Sequence, residues 1–203
     1  MPIIAIGGGS GSGKTTFAKR LIKRIGADRC LHLSLDRFYA DHPELDFETR
    51  CQLNYDHPDS IDVPLLAQCV RTLATGQQAQ VPRYDFTVHR RCPESDLLDG
   101  SNILVVEGIF ALYFQEILEM SDLKIFVDVD DDLQFARRLM RDMIERNRSA
   151  QSVYSQYVAT VKPMYQKFIS PTRQNADFIV HTHGECQYNK VLDVLAAWLA
   201  SVG

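Results

Sequence analysis

Residues Gly8, Gly9, Ser10, Gly11, Ser12, Gly13, Lys14 and Thr15 follow the pattern G-x-x-x-x-G-K-[ST], with the β-branched run Ile3 to Ile6 before it and a helical period from Lys14 after it. Glycines let a backbone curl until successive N–H groups converge on a phosphate at a helix N-terminus, where the helix dipole also favours negative charge. Lys14 would reach the β and γ oxygens, the Thr15 hydroxyl would hold Mg²⁺, and Thr16 belongs to the same helix start. The pattern points to a nucleoside triphosphate. Guanine is disfavoured, because Asn189-Lys190-Val191-Leu192 lacks the aspartate of N-K-x-D.

Two carboxylates stand where strands should end. The run Ile103-Leu104-Val105-Val106 leads into Glu107-Gly108, which puts Glu107 at the C-terminal end of a central strand, where open α/β sheets bind ligands. That suits a metal or its water shell. Leu33-Ser34-Leu35-Asp36 ends the second strand, expected to neighbour the strand before the loop, so Asp36 can face the γ-phosphate. Five arginines lie between Arg137 and Arg148. Arg137 and Arg141 are i,i+4 and Arg138 and Arg141 i,i+3, so part of the set shares a helix face turned toward phosphates. Pairing with Asp142 and Glu145 on a solvated face is the alternative, evenly balanced for Arg137.

The elements that must position these groups come from alternating β-branched runs and helical periods. Strands are predicted at Ile3–Ile6, Cys30–Leu35, Ile103–Val106, Lys124–Val129 and Phe178–His181, their continuous apolar character suiting a parallel sheet buried on both faces. Helices are predicted at Lys14–Ile25, Pro43–Cys51, Val63–Thr75, Leu112–Glu119, Asp131–Asn147, Ala150–Phe168 and Glu185–Ser201. One stretch, about 81–92, has strand spacing between a helix and a central strand and reads as a protruding hairpin. Tyr84 and Phe86, two apart, share one face of it. In the last helix Val191, Val194, Leu195, Trp198, Leu199 and Val202 form an apolar stripe expected to pack on the sheet.

At 203 residues, 45% hydrophobic and 24% charged, the chain fits one α/β domain spanning residues 1–203, with the hairpin and an arginine-rich lid at about 131–149 as insertions. Lys+Arg 22 against Asp+Glu 26 gives a net charge of −4, which opposes nucleic acid and anionic membranes as partners. No apolar run approaches the ~20 residues of a membrane helix, and Ile3 to Ile6 is too short for a secretory signal, so the cytoplasm is the default compartment. Five scattered cysteines without a C-x-x-C pair read as reduced packing residues. Asp130 to Asp132 read as helix-start acids, and His181 with His183 lacks a third metal ligand in pattern.

The phosphate loop and the Asp36 segment, taken with Asn54-Tyr55-Asp56-His57-Pro58-Asp59, Tyr84-Asp85-Phe86 and then His89, and Arg137 to Arg148, resemble the uridine kinase (uridine–cytidine kinase) family of P-loop kinases, from about Ile3 to Val180. The resemblance implies a P-loop kinase fold and ATP-dependent phosphorylation of the 5′-hydroxyl of uridine or cytidine to UMP or CMP in pyrimidine salvage. It also implies Mg²⁺ and a homo-oligomer, commonly a tetramer; GTP as donor stays open. By the same resemblance Asp36 is the catalytic carboxylate, acting with Lys14 and Arg141, and Tyr39 stands beside it. Asp56 takes the ribose hydroxyls, Tyr84 and His89 contact the base, Phe86 walls it, and Arg138, Arg141, Arg148 and Gln156 surround phosphates and nucleoside.

Physical reasons support these assignments. An ionised Asp56 offers two acceptors to a vicinal diol, neutral imidazole at His89 both donates and accepts, and an aspartate near the ordinary ~4 is ionised at neutral pH without tuning. The chain departs from the pattern at Arg37, where a small or polar residue is usual, at Asn147 in place of a glycine, and at His181-Thr182-His183-Gly184 near the expected adenine. The alternatives are a kinase for nicotinamide riboside, phosphoribulose or pantothenate, and a catalytically silent nucleotide-binding regulator. The Tyr84-Phe86-His89 set argues against the first, and intact Lys14, Thr15, Asp36 and Glu107 argue against the second.

Overall fold

A computed structural model describes residues 1–182 and 185–202; His183 and Gly184, and the Cys186 side chain, lie outside the described residues. Five short strands form the central sheet: β1 (Ile3–Gly7), β2 (Cys30–Ser34), β5 (Ile103–Glu107), β6 (Leu123–Asp128) and β7 (Phe178–His181). All their pairings are parallel, in the order β2-β5-β1-β6-β7. The expectation that β2 neighbours β1 is therefore corrected, because β5 lies between them. That expectation rests on what is usual in such folds, but β5, apolar through Val106 and buried at every residue, takes the more central place.

Alternation along the strands explains the layers. Ile3, Ala5, Leu104 and Val106 face one core, and Ile4, Ile6, Ile103 and Val105 face the other. Helix α3 (Val63–Ala74) and α4 (Gln115–Met120) cover the first face, while α1 (Lys14–Ile25) and α8 (Glu185–Val202) cover the second. Each fully buried Ile, Leu or Phe contributes roughly 1.5–3 kcal/mol by burial. With both faces filled, a one-residue slip in any central strand would exchange the two cores, so register is fixed and the loops at the C-terminal strand ends are held in place. The α8 stripe is partly corrected: Tyr188, Leu192, Leu195 and Leu199 pack inward, whereas Val194 and Trp198 are exposed.

The hairpin is longer than predicted, running from β3 (Ala79–Asp85) to β4 (Arg90–Leu98) as a separate antiparallel pair. Helix α2 (Phe47–Gln52) starts later than predicted, capped by the Asp46 side chain on the Thr49 N–H at 2.8 Å. Helix α5 (Asp131–Glu145) stops before Asn147, which takes φ +51; asparagine tolerates the left-handed turn that glycine would otherwise provide. The segment predicted as one helix over Ala150–Phe168 is α6 (Ala150–Gln156) and then wide π turns at Tyr157–Val161 and Tyr165–Ile169 around α7 (Lys162–Met164). Pro163 sits between them, with no N–H to continue an α ladder. Among the described residues no helix is long and apolar enough to cross a membrane.

Candidate active site

The loop between β1 and α1 closes as a cradle. Gly13 caps α1 in the left-handed region at φ +91, and Ser12 N–H donates to the Gly9 carbonyl at 3.0 Å. Gly11 also has φ +91, and a Cβ there would stand 2.4 Å from the Gln134 carbonyl of α5. Helix α5 is thus packed directly on the loop, and its Arg138 donates to the Ser10 hydroxyl at 2.7 Å, with Arg141 at 3.4 Å. Lys14, the first residue of α1, is buried; burial lowers its pKa while the Glu107 and Asp36 carboxylates oppose that effect. Thr16 is exposed on the first turn of α1.

Thr15 Oγ1 lies 3.3 and 3.2 Å from the two Glu107 carboxylate oxygens at the end of β5. Burial alone would raise Glu107, but His32, 3.6 Å away, and the Lys14 ammonium hold it below the ordinary range. A hydroxyl beside an ionised carboxylate is a hard oxygen set suited to Mg²⁺, which keeps much of its water and takes phosphate oxygens. Among the described residues, no cluster of three or more His, Cys, Asp or Glu side chains offers a protein-only cage.

Asp36 sits just after β2 in a tight 3-10 turn, Leu35–Phe38, whose start is fixed by the Ser34 hydroxyl accepting from the Asp36 N–H. Gly108 lets the exit of β5 pass against this turn, since a Cβ there would meet Leu35 Cβ at 2.6 Å. The turn carries Asp36 past the intervening strand, so Asp36 and Lys14 line one cavity of about 760 Å³. Ser10, Tyr39, Asp56, Tyr84, Phe86, His89, Arg138, Arg141, Arg148 and Gln156 line it as well. Asp36 is not an unperturbed carboxylate: burial raises its pKa, with Lys14 pulling the other way. Burial also raises Asp56, opposed by Arg138, whose guanidinium lies 3.9 Å from it.

The aromatic wall is built by tilted and edge-on ring contacts. Tyr39 meets Tyr84 at 5.3 Å and Phe86 at 6.2 Å, and Tyr84 meets Phe86 at 5.2 Å between ring centroids. His89, in the hairpin turn at φ +52, stacks on Tyr55 at 4.8 Å with the rings 14° apart. Sequence reasoning gives Tyr55 no role of its own, although it directly precedes Asp56; its hydroxyl donates to the Arg50 carbonyl at 3.1 Å, which fixes the ring under the histidine. Cys51 also lines this cavity and is exposed, which corrects its reading as a packing residue.

The arginine face and its pairing with Asp142 prove to be one arrangement rather than alternatives. Asp142 is fully buried and gathers Arg141 at 2.7 Å, Arg138 and Arg146 at 3.6 Å, and Arg148 at 3.7 Å. All four arginines line the cavity. Gln156 Oε1 accepts from Arg138 at 3.0 Å and from Arg148 at 2.5 Å, tying α6 to the same cluster. Arg146 lies over the Phe86 ring at 5.5 Å, a contact that spacing alone does not single out. Arg137 points elsewhere, donating to Thr182 Oγ1 at 2.8 Å, and that hydroxyl donates to the Ser12 carbonyl at 2.8 Å.

A profile of the phosphoribulokinase / uridine kinase family matches residues 3–188. The chain is 45% identical over 201 residues to a uridine kinase of Lactobacillus helveticus, covering 98% of this chain and 94% of that one. It is 43% identical over 177 residues to a uridine kinase of Chloroflexus aurantiacus, covering 87% and 85%. The chain belongs to the phosphoribulokinase / uridine kinase family. A phosphoribulokinase from Rhodobacter spheroides shares the fold at a TM-score of 0.63 and 16% identity, covering 89% of this chain and 69% of that one.

For this family member the loop geometry sets a first expectation. Gly11→Ala forces a side chain into a left-handed position, costing about 1–2 kcal/mol, and drives its methyl against the Gln134 carbonyl. We expect a lowered Tm by thermal unfolding, on the scale of that cost, and a raised KM for the triphosphate, because the displaced loop no longer converges its N–H groups.

Proposed function

We propose that this phosphotransferase moves the γ-phosphoryl group of ATP to the 5′-hydroxyl of uridine or cytidine. One observation carries the reading: Lys14 from the phosphate cradle, Asp36, and the diol and base candidates Asp56, Tyr84 and His89 all line a single cavity. The uridine kinases at 43–45% identity support the same acceptor.

The cradle amides and Lys14 hold the triphosphate tail while Asp56 and the aromatic wall hold the nucleoside, so the reacting groups meet already aligned. The Asp36 carboxylate accepts a hydrogen bond from the 5′-hydroxyl and takes its proton late. The O5′–phosphorus bond forms as the bond from the γ-phosphorus to the bridging oxygen breaks, and ADP departs with that oxygen. The transition state is loose, with charge on the three γ oxygens, so the cations of Arg138 and Arg141 stabilise it electrostatically. Thr15 and Glu107 would hold Mg²⁺, which supplies neutralisation of the triphosphate charge when bound.

A screen of ADP release over nucleosides and small metabolites tests the reading. Uridine and cytidine are expected to be preferred over deoxyuridine by at least roughly 10²-fold in kcat/KM, because a buried acceptor left without its hydroxyl is costly. Equal rates on ribose and deoxyribose would remove the role of Asp56, and turnover confined to a non-nucleoside acceptor would overturn the reading.

A further inference from the structure

Residues 35–41 carry Asp36 and Tyr39, whereas the hairpin carries Tyr84 and His89, so the separation of the reacting carboxylate from the base wall depends on how these two pieces are joined. Three arginines join them. Arg90 pairs with both Asp41 carboxylate oxygens at 2.6 and 3.2 Å. Arg91 donates to the Tyr39 carbonyl at 2.9 Å and to Asp62 at 3.0 Å. Arg37 reaches in the opposite direction, from the residue beside Asp36 into the hairpin. Its Nε donates to the Pro82 carbonyl at 2.7 Å, and its Nη2 donates to the Val81 carbonyl at 3.3 Å and to Asp96.

The place Arg37 grips is where the hairpin bends. Pairing runs Val81 to Asp96 and Pro82 to Ser95, then resumes at Tyr84 to Arg91, so Arg83 faces the three residues 92–94. Extra residues on one strand increase the local twist and re-aim the side chains beyond them, and the next residue to pair beyond this bend is Tyr84. Asp96, opposite Val81, also accepts from Arg83 Nε at 2.7 Å, and its two arginines hold it down to about 2, so it stays ionised across any assay range. The planar fork of arginine suits one side chain bridging two carbonyls and a carboxylate, a geometry that lysine cannot copy.

We propose that Arg37 and Asp96 are positioning residues that lock the hairpin bend to the Asp36 turn and thereby set the span between the 5′-hydroxyl site and the base wall. The inference rests on the nucleoside reading of the cavity. Arg37→Ala, Arg37→Lys, Asp96→Asn and the Arg37→Ala/Asp96→Asn double variant test it by steady-state kinetics. Arg37→Ala is expected to raise KM for uridine about tenfold, the scale of a lost charge-assisted hydrogen bond, with KM for ATP unchanged. Arg37→Lys should fall between, and the double variant should be less than additive. An unchanged KM for uridine, or a parallel rise in both KM values with a fallen Tm, overturns the proposal.

Hydrogen exchange provides a readout that needs no turnover. Arg37→Ala should speed exchange in both 35–41 and 79–98, and unchanged exchange in either segment also overturns the proposal. Failure of the wild-type protein to phosphorylate uridine would instead count against the function, leaving exchange to decide the coupling.

Discussion

Asp36→Asn is expected to lower kcat by roughly 10²–10⁴-fold, the usual contribution of a positioned general base, with KM for ATP nearly unchanged. The amide keeps the shape of the carboxyl but cannot take a proton from the acceptor hydroxyl. Stability should move the other way. Burial raises the folded-state pKa of Asp36, so the ionised form is disfavoured in the folded protein. The stability this group contributes is present at low pH and is lost as pH rises through the folded value. At neutral pH the asparagine variant should therefore unfold at an equal or higher temperature, which separates a catalytic loss from a folding defect. The same shift, which belongs to the free protein, predicts that kcat/KM declines on the acid side at a pH above the ordinary aspartate range. Asp56, also raised by burial, should show chiefly in kcat/KM for the nucleoside. A kcat/KM flat down to the ordinary range would contradict the assignment.

Asp142→Ala carries the largest expected loss of stability. Asp142 is fully buried with four guanidiniums around it, and removing one side of a buried ionic cluster costs about 3–5 kcal/mol because the remaining charges are left uncompensated. For a chain of this size that corresponds to a fall in Tm on the order of 10 °C. Activity should fall as well, since Arg138 and Arg141 are aimed by this carboxylate toward the cradle. Added phosphate should recover part of the Tm by giving the freed arginines an anion to bind. A variant with wild-type Tm and kcat would show that the cluster organises nothing.

The phosphate cradle and the sheet were legible because their signals are local: a spacing of glycines, a run of β-branched residues, a helical period. Strand order was not. Placing β2 beside β1 rests on what is usual in such folds, whereas β5 takes the place next to β1 because both its faces are apolar, a global consequence of packing. The helix predicted across residues 150–168 has the right residues but not the π turns, which arise where Pro163 interrupts the ladder. Helical spacing brings Arg138 and Arg141 together and the family resemblance adds Arg148 and Gln156, yet their common organiser, Asp142, reads in sequence only as a surface partner. A carboxylate between arginines looks the same in sequence whether it faces water or the core. The roles of Tyr55 and Arg37 are hidden for a similar reason, since their contacts are with residues 89, 81, 82 and 96, brought close only by the folded hairpin.

The most direct measurement tracks the phosphorus atom. The protein with Mg²⁺, γ-³²P-labelled ATP and uridine should place the label on the uridine 5′-oxygen as UMP, in equal amount to the ADP formed, and Asp36→Asn should slow the transfer by the same roughly 10²–10⁴-fold. Label released only as inorganic phosphate, or transfer undiminished in Asp36→Asn, would contradict a cradle and a carboxylate acting together on a nucleoside alcohol.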